Sequence, residues 1–524
     1  MLVTPNVPCP TPKYVGLRFA CQHYLQPDHN REDVVQRIPE EILSAICHET
    51  EDRSSSFRSS VTRKHLKNLN TLTLSQVCRT WRFHIKNDTS LWKDIAFDVC
   101  DIRSVNTAEL FLAVMEKADI LFAVFVDLYG DPSRAVGILT RLQLLTSRIS
   151  HFESFGALGG CRRYLNRPAE NLQHLSGSLD LDSTTTILSN PLFAGHTPQL
   201  RSVTMAAIIH CTGWATLLPH LTELELVAPR FGHALPFKSL LNVLQGAPNL
   251  RDLKLSGLGF IVDASHSGHR ATLLHLETLT LNESDVQTMV RYLEMPRLRK
   301  TTFYGSDYPP GYDVLAPVFQ AHHLFSHTSL IPILKQEIAE VFLMAGKIGE
   351  DRRFWLRLLS SCRRHSLDIR MYWSQGTVGG WEGYTERSVV ALAKLVTLSP
   401  RAHIGLDFQP PFSRPLAIPF FQSPHVHYLT INGGLAEELS RSLTLVFSPL
   451  PQLGRLEITD KSSAPAQALQ AIESRLSTRG IELMIRTSRG TLPLFDAFDL
   501  PDTGYIIFSY LLRFFGRTQS LSSI

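Results

Sequence analysis

The chain has 524 residues, of which 44% are hydrophobic and 19% charged, and its formal net charge is +4. This composition is typical of a globular protein and excludes a largely disordered or fibrous chain. The small net charge argues against a broad basic surface for nucleic acid. The eight cysteines are scattered without a C-x-x-C pair, which indicates free thiols in a reducing compartment and neither a disulfide framework nor a zinc site.

The two ends of the chain differ from its middle. Residues 1–33 are rich in proline and lack the apolar run of a signal peptide, so they predict a disordered lead. The apolar stretch 504–516 contains Arg513 and is too short to cross a bilayer, so it is a terminal segment or an interfacial helix. We expect residues 491–524 to form a C-terminal tail and the chain to be cytoplasmic, nuclear or both.

A short amphipathic helix is predicted at "RIPEEILSAICHE", Arg37 to Glu49. Pro39 suits the first turn of a helix, where its missing N–H has no intrahelical partner. Glu41 places negative charge near the positive end of the helix dipole. The apolar side chains fall on one side of this helix, as an amphipathic helix requires: Ile42, Leu43 and Ile46. Residues 50–70, rich in serine and charge, then predict a surface loop or flexible insertion.

The stretch "LSQVCRTWRFHIKNDTSLW", from Leu74 to Trp92, predicts a second helix followed by a break. Its apolar residues recur at steps of three, one, three and four, which is the spacing of one helical face: Leu74, Val77, Cys78, Trp81 and Ile85. "NDTS" supplies turn and cap residues, and Leu91 with Trp92 restarts the apolar signal. A nucleophilic role for Cys78 competes with a packing role, which its place on the apolar face favours.

Beyond residue 100, a motif recurs in which a leading leucine precedes a short alternating apolar run. The spacings between successive copies range from 21 to 29 residues, and the leading residues are Leu200, Leu221, Leu250, Leu276 and Leu298. Weaker copies occur at 120–128, 149–158, 423–431 and 450–458. Segments such as "FKSLLNVLQGAPN" and "SDVQTMVRYLEMP" have helical spacing and are candidate return legs. One such unit cannot bury its apolar face alone, so the pattern predicts an α/β solenoid of short parallel strands.

Together the N-terminal segments resemble the F-box, which has the pattern L-P-x-E-[IL]-[LF]-x-x-I, then L-x-x-V-C-[KR]-x-W-[KR], then a Leu-Trp pair. The departure from this pattern is an insertion of some twenty polar residues between its two halves. The resemblance places an F-box at 34–97 and an irregular leucine-rich-repeat domain at 98–490. The positions that match and would contact an adaptor are Ile38, Pro39, Glu41, Ile42, Leu43, Ile46, Leu74, Val77, Cys78, Trp81, Leu91 and Trp92.

This resemblance implies a substrate receptor of an Skp–cullin–F-box ubiquitin ligase. The F-box would dock on an Skp-type adaptor, and the repeat domain would bind a protein substrate. Such a receptor is not an enzyme and needs no metal or cofactor; neither nucleic acid nor a membrane is an expected partner. An interaction scaffold outside any ligase is the alternative, and an enzyme of unknown type has no motif in its favour.

An aromatic segment at 370–386 is a further candidate for recognition. Four large amphipathic side chains lie among its four glycines: Tyr372, Trp373, Trp381 and Tyr384. A long loop with such side chains is a plausible substrate-binding surface. The alternative is a packed loop that covers one end of the solenoid.

Overall fold

The computed structural model describes most of the chain from residue 60 to residue 485. The described ranges are 60–77, 79–128, 132–157, 162–178, 192–206, 218–227, 235–256, 260–261, 270–282, 292–306, 336–348, 351–373, 398–408, 425–445, 450–459 and 464–485. The predicted disordered lead, the first predicted F-box helix and the predicted C-terminal tail therefore lie outside the described residues.

The secondary structure of these ranges is a mixture of helices and strands. The helices longer than one turn are α1 (Ser60–Leu74), α2 (Arg79–Asn87), α3 (Ile102–Lys117), α4 (Val136–Leu144), α5 (Phe237–Gln245), α6 (Ala436–Leu445) and α7 (Ala466–Ser477). The strands of the N-terminal half are β1 (Asp94–Asp98), β2 (Phe122–Asp127), β3 (Ile149–Ala157), β4 (His174–Ser178), β5 (Ser202–Ala206), β6 (Glu223–Val227), β7 (Leu235–Pro236), β8 (Asp252–Ser256), β9 (Phe260–Ile261) and β10 (Ala271–Thr272). Those that follow are β11 (Thr278–Asn282), β12 (Leu293–Glu294), β13 (Lys300–Ser306), β14 (Ile338–Ile348), β15 (Asp351–Ser360), β16 (Ser366–Trp373), β17 (Leu398–Phe408), β18 (Val426–Asn432), β19 (Arg455–Thr459) and β20 (Glu482–Ile485).

Sixteen of these strands form one sheet, in the order β1-β2-β3-β4-β5-β6-β8-β11-β13-β16-β15-β14-β17-β18-β19-β20. Each of the nine segments in which the sequence motif was found overlaps one of its strands. Four short strands pair in parallel outside this sheet, β7 with β9 and β10 with β12. Among the described residues, no helix has the length and apolar character needed to span a membrane.

Leucines from successive strands line up in rows on one face of the sheet. Leu224 of β6 is in register with Leu253 of β8, which is in register with Leu279 of β11. The leading residues of the motif are buried beneath the same face, as are the second leucines of these strands. Because side chains alternate across a strand, the intervening residues lie on the opposite face, called the polar face below. The regular leucine spacing therefore produces one continuous core along the sheet.

One strand of the sheet runs against all the others. β15 is antiparallel to both of its neighbours, β14 and β16, whereas the other pairs in the sheet are parallel. β14, β15 and β16 also occur in reverse order, so that β13 pairs with β16 and β14 pairs with β17. The prediction of short parallel strands is wrong at this place. Alternation of buried and half-buried residues continues through β15, because a strand presents the same period of two in either direction.

Two further local predictions need correction. Residues 60–70, predicted to be a loop or flexible insertion, belong to helix α1. The stretch from Leu74 to Ile85, predicted to be one helix, is divided because α1 ends at Leu74 and α2 begins at Arg79. Of the candidate return legs, "FKSLLNVLQ" is helix α5, whereas the described end of the segment at 284–296 contains the short strand β12.

Candidate functional site

Helix α1 packs on the polar face at the N-terminal end of the sheet. Lys64 Nζ lies 2.7 Å from Asp94 Oδ2 of β1, and the Asp94 side chain is buried. One turn later, the Asn68 amide donates a hydrogen bond of 3.0 Å to the Asp94 carbonyl oxygen. Lys64 Nζ also lies 5.4 Å from the centre of the Phe125 ring on β2. These contacts join the segment between the two predicted F-box halves to the sheet.

A histidine on the same helix faces α3. His65 Nδ1 lies 3.2 Å from the Ser104 hydroxyl oxygen. Burial lowers the pKa of His65 below its usual value, although Asp101 and Asp98 oppose the change. At neutral pH the ring is therefore uncharged, as a side chain enclosed between two helices and a strand should be.

Residues 75–77 form a turn that follows α1. The Val77 N–H donates to the Leu74 carbonyl at 3.1 Å, and Arg82 Nε donates to the Ser75 carbonyl at 3.1 Å. On α2, Ile85 is buried and Trp81 is partly buried against the main core. The side of α2 that faces the core therefore carries Trp81 and Ile85.

The Leu91–Trp92 pair belongs to the interior of this chain. Asp88 Oδ1 accepts a hydrogen bond of 3.0 Å from the Ser90 N–H and so caps a short 3-10 helix that ends at Leu91. The Trp92 indole N–H donates to the Ile85 carbonyl at 2.6 Å, and its ring centroid lies 4.6 Å from that of Phe111 on α3. These residues share one core with the sheet, which supplies much of the burial that a small helical module lacks.

The solvent side of α2 and of the turn before it is apolar and basic. Val77 is 52% exposed and Phe83 is 66% exposed. The helix sequence "RTWRFHIKN" contains no acidic residue, and three basic side chains are exposed: Arg79, Arg82 and Lys86. Large exposed apolar side chains bordered by like charges are typical of an interaction surface.

The predicted adaptor contacts are placed differently by the structure. Among those described, Val77 is exposed, Leu74 and Trp81 are partly buried, and Leu91 and Trp92 are buried. Leu91 and Trp92, which the resemblance offered as contact residues, are buried in the core of this chain, and their contact with an adaptor stays a prediction. The remaining predicted contacts lie outside the described residues: Ile38, Pro39, Glu41, Ile42, Leu43, Ile46 and Cys78.

Phe83 is an exposed aromatic residue that the motif does not include. It lies two positions after Trp81 and two before Ile85, and each residue advances an α-helix by about 100°. Phe83 therefore points away from the face that those two residues bury. An aromatic residue out of step with the buried face was the sequence signal for this position.

The predicted substrate-binding segment begins in β16. Tyr372 pairs with Ser306 of β13 and Arg353 of β15, and Trp373 pairs with Arg352 of β15. Trp381 and Tyr384 lie outside the described residues. The structure thus places the first two residues in a strand, where the sequence predicted a long loop.

An aromatic and charged cluster lies on the polar face beside that strand. The Arg370 guanidinium lies 4.7 Å from the Trp355 ring and 5.6 Å from the Tyr304 ring. It also pairs with Asp368 at 3.1 Å, and the Trp355 indole N–H donates to the same carboxylate at 2.7 Å. Phe342 of β14 continues the aromatic surface, with its ring 5.8 Å from that of Trp355. The antiparallel strand β15 brings these side chains together.

Within the described ranges, no group of three or more histidine, cysteine or acidic residues could hold a metal ion. A sequence model of the F-box-like family matches residues 35–98. No curated protein matches the chain. The matched range contains α1, α2 and the first strand of the sheet, so the match ends inside the sheet.

Proposed function

We propose that the chain is a non-catalytic substrate receptor of an Skp–cullin–F-box ubiquitin ligase. The F-box-like domain at residues 35–98 supports an adaptor-type role in general. In this proposal, the F-box-like domain binds an Skp-type adaptor, and the sheet binds a protein substrate. The receptor raises the effective concentration of substrate lysines near an enzyme held elsewhere in the complex.

The exposed surface of α2 and of the turn before it is the observation that carries this proposal. Val77 and Phe83 lie in the range that matches the F-box-like family, and both are apolar side chains that are more than half exposed. Burial of an exposed aromatic side chain in a partner's pocket is the usual source of a large binding contribution. Arg79, Arg82 and Lys86 give the surroundings a positive charge, so the matching surface should combine an apolar recess with acidic groups.

Leu91 and Trp92 have an indirect role in this proposal. Their burial fixes the end of α2 through the hydrogen bond from Trp92 to the Ile85 carbonyl. The ion pair between Lys64 and Asp94 fixes α1 in the same way. A partner bound to α2 would therefore be held in a constant orientation relative to the sheet.

We also infer that the sheet consists of irregular leucine-rich repeats. The aligned leucines of β6, β8 and β11 and the parallel pairing support this inference. The polar face would then be one substrate-binding side, and the aromatic segment at 370–386 stays a second candidate surface. Replacing Trp373 and Trp381 with alanine should then abolish the binding of a substrate protein without lowering the melting temperature of the chain.

The test compares two exposed apolar residues in the full-length chain. Phe83→Asp introduces a charge on α2, and Leu144→Asp introduces the same charge on α4, where Leu144 is 60% exposed. We expect Phe83→Asp to weaken binding to a purified Skp-type adaptor at least tenfold, which corresponds to about 1.4 kcal/mol. Leu144→Asp should bind as the parent does.

The outcomes separate the competing functions. Co-purification of the parent chain with both the adaptor and a cullin supports the ligase receptor. Adaptor without cullin supports an interaction scaffold outside any ligase. If the parent binds no adaptor, or if Phe83→Asp binds as tightly as Leu144→Asp, the assignment of this surface is wrong.

A further inference from the structure

The hairpin formed by β15 and β16 holds the net positive charge of the chain. Residues 351–373 contain six arginines and two aspartates, so their formal charge of +4 equals that of the whole chain. Two of these arginines, Arg363 and Arg364, are exposed in the turn between the strands. Arg363 Nη2 lies 3.6 Å from Oε1 of Glu340 on β14. Glu340 precedes the buried Val341 and so lies on the polar face, which means that the turn reaches over that face.

Cationic side chains outnumber carboxylates in the region called the hairpin surface below, which comprises the polar face of β13, β14, β15 and β16 and the adjoining residues 336–337 and 361–365. Its described cations are Lys300, Arg357, Arg363, Arg364 and Arg370, and its described carboxylates are Glu337, Glu340 and Asp368. Arg370 engages Asp368 through two contacts of 3.1 Å. Lys300 and Arg364 are exposed. An excess of exposed positive charge is complementary to an acidic partner.

Aromatic rings at one end of the hairpin surface offer an apolar contact beside this charge. Tyr304, Phe342 and Trp355 are partly buried, so each ring is also partly open to solvent. Arg370 packs against the Tyr304 and Trp355 rings, and Asp368 accepts a hydrogen bond from the Trp355 indole N–H. These contacts hold the rings in place before any partner binds. Tryptophan, tyrosine and arginine are the residue types that contribute most to binding at protein interfaces.

One extended segment of a partner can reach both the turn and the aromatic rings. Ser366 and Arg370 lie at positions 366 and 370 of β16, which places them about 13 Å apart at the usual rise of a strand. Single-stranded nucleic acid is the poorer fit, because stacking of bases requires free ring faces. Arg370 already lies over the rings of Trp355 and Tyr304, at 4.7 and 5.6 Å.

We propose that the hairpin surface binds an acidic segment of a protein partner. Carboxylates of this segment contact the arginines of the turn, and an apolar side chain of the segment packs on the aromatic rings. The inference rests on the proposed function, because it states the chemistry of the substrate that the sheet would capture.

The test measures binding of labelled nonapeptides to the full-length chain. One peptide has eight glutamates around a central leucine, the second has serine at the centre, and the third has eight lysines around leucine. We expect both acidic peptides to bind in a salt-dependent manner, the leucine peptide more tightly, and the lysine peptide not to bind. Tighter binding of labelled oligouridine than of the acidic peptides would assign the surface to nucleic acid and reject the proposal.

A double variant in the turn tests the charge contacts. Arg363→Gln/Arg364→Gln should weaken binding of both acidic peptides about fivefold, as expected for the loss of two exposed ion pairs. The matched control is Arg103→Gln/Arg167→Gln, which removes two exposed arginines far from the hairpin in sequence and should bind as the parent does. An equal loss in both variants would indicate general attraction to a basic chain and contradict the proposal. A loss confined to Arg79→Gln/Lys86→Gln would place the peptides on α2 and contradict it as well.

Tyr304→Ala tests the apolar contact. It should reduce the preference for the leucine peptide over the serine peptide about fourfold, which corresponds to one buried CH₂ group, and leave binding of the serine peptide unchanged. The melting temperature is measured in parallel. An equal loss for both peptides would show that the ring only supports the fold, and the apolar contact would be rejected.

Adaptor binding, measured in the same samples, separates this inference from the proposed function. A parent chain that binds the adaptor but neither acidic peptide rejects only this inference. A parent chain that binds the acidic peptides but no adaptor rejects the proposed function and leaves the hairpin surface as a peptide-binding site.

Discussion

Lys64 and Asp94 form a 2.7 Å ion pair that joins helix α1 to the first strand of the sheet. The Asp94 side chain is 9% exposed and that of Lys64 is 31% exposed, so the carboxylate is enclosed and the ammonium group reaches solvent. Residues 60–70 of the polar segment between the two predicted F-box halves therefore belong to a helix that packs on the polar face of β1.

Lys64→Met should destabilise the protein, because it leaves the Asp94 carboxylate buried without its cation. We expect a loss of about 2 kcal/mol in the free energy of unfolding, less than for a fully buried pair because Lys64 is partly exposed. Urea unfolding measures the loss. Lys86→Met on the exposed side of α2 is the control, and adding Asp94→Asn should recover part of the loss. Equal stability of the two lysine variants would show that the ion pair between Lys64 and Asp94 does not stabilise the fold.

Truncation of the two aromatic residues Trp92 and Phe83 to alanine should change the stability of the protein by very different amounts. Trp92→Ala removes a buried ring that contacts Phe111 and donates to the Ile85 carbonyl, so it should cost about 3–5 kcal/mol. Phe83→Ala removes an exposed ring and should change stability by less than about 0.5 kcal/mol. Thermal unfolding of each variant measures its loss of stability. A large loss in Phe83→Ala would mean that this ring belongs to the core.

Two glycines should differ in their tolerance of a methyl group. A Cβ at Gly405 would lie 2.7 Å from Phe342 Cδ2, so Gly405→Ala should displace the ring and cost roughly 1–3 kcal/mol. At Gly137, on helix α4, the nearest atom would be Glu109 Oε1 at 3.6 Å. Gly137→Ala should therefore stabilise the chain by about 0.5–1 kcal/mol. Denaturant unfolding tests both, and a stable Gly405→Ala would mean that Phe342 moves freely.

Cys362, in the turn between β15 and β16, should react faster than an ordinary thiol. A hydrogen bond with Ser360 lowers its pKa to about 6, with help from the Arg364 N–H and from His365, whose Nδ1 is 3.6 Å from the sulfur. The thiolate therefore predominates above pH 6. We expect iodoacetamide to modify Cys362 several-fold faster than the exposed Cys100 at pH 7, with a rate midpoint near pH 6. Peptide mapping measures both rates, and a midpoint above pH 8 would refute the assignment.

Asp252→Asn should stabilise the protein in a pH-dependent way. Burial, with the repulsion from Glu223, raises the pKa of Asp252 in the folded state, so the folded state binds this proton more tightly than the unfolded state. The parent consequently loses stability as the pH rises from about 4 through the raised pKa. The free energy of unfolding of the variant should exceed that of the parent by about 0.5 kcal/mol at pH 7, and this difference should disappear near pH 4. A stability difference that does not change with pH would show that ionisation of Asp252 is not its cause.

The strands were predictable because their leucines repeat with a period of two after a leading leucine. Leu224, Leu253 and Leu279 are buried in register, as this pattern requires. The direction of β15 was not predictable, since "FWLRLLS" has the same alternation in either direction. Local pattern thus specifies which side chains are buried, whereas strand order depends on contacts between distant residues.

The candidate site was predictable only in part. The F-box pattern located the correct region, but burial of Leu91 and Trp92 depends on Phe111 and the sheet, which the motif does not contain. Helix α1 has few apolar residues and no acidic residue in its first turn. Its position depends on polar contacts of Lys64 and Asn68 with Asp94, and such contacts have no periodic signature in the sequence.

The reversed order of β14, β15 and β16 has a consequence for the folding rate. From β1 to β13, neighbouring parallel strands come from segments close in sequence, so that Thr278 pairs with Lys300 and this part of the sheet can grow by successive short steps. Lys300, however, pairs with Ser366, and this contact closes a much longer loop. Loop closure of that length slows folding, because its entropy is lost before the contacts form. Pairing of β13 with β16 should therefore be a late event, which follows assembly of the strands on either side.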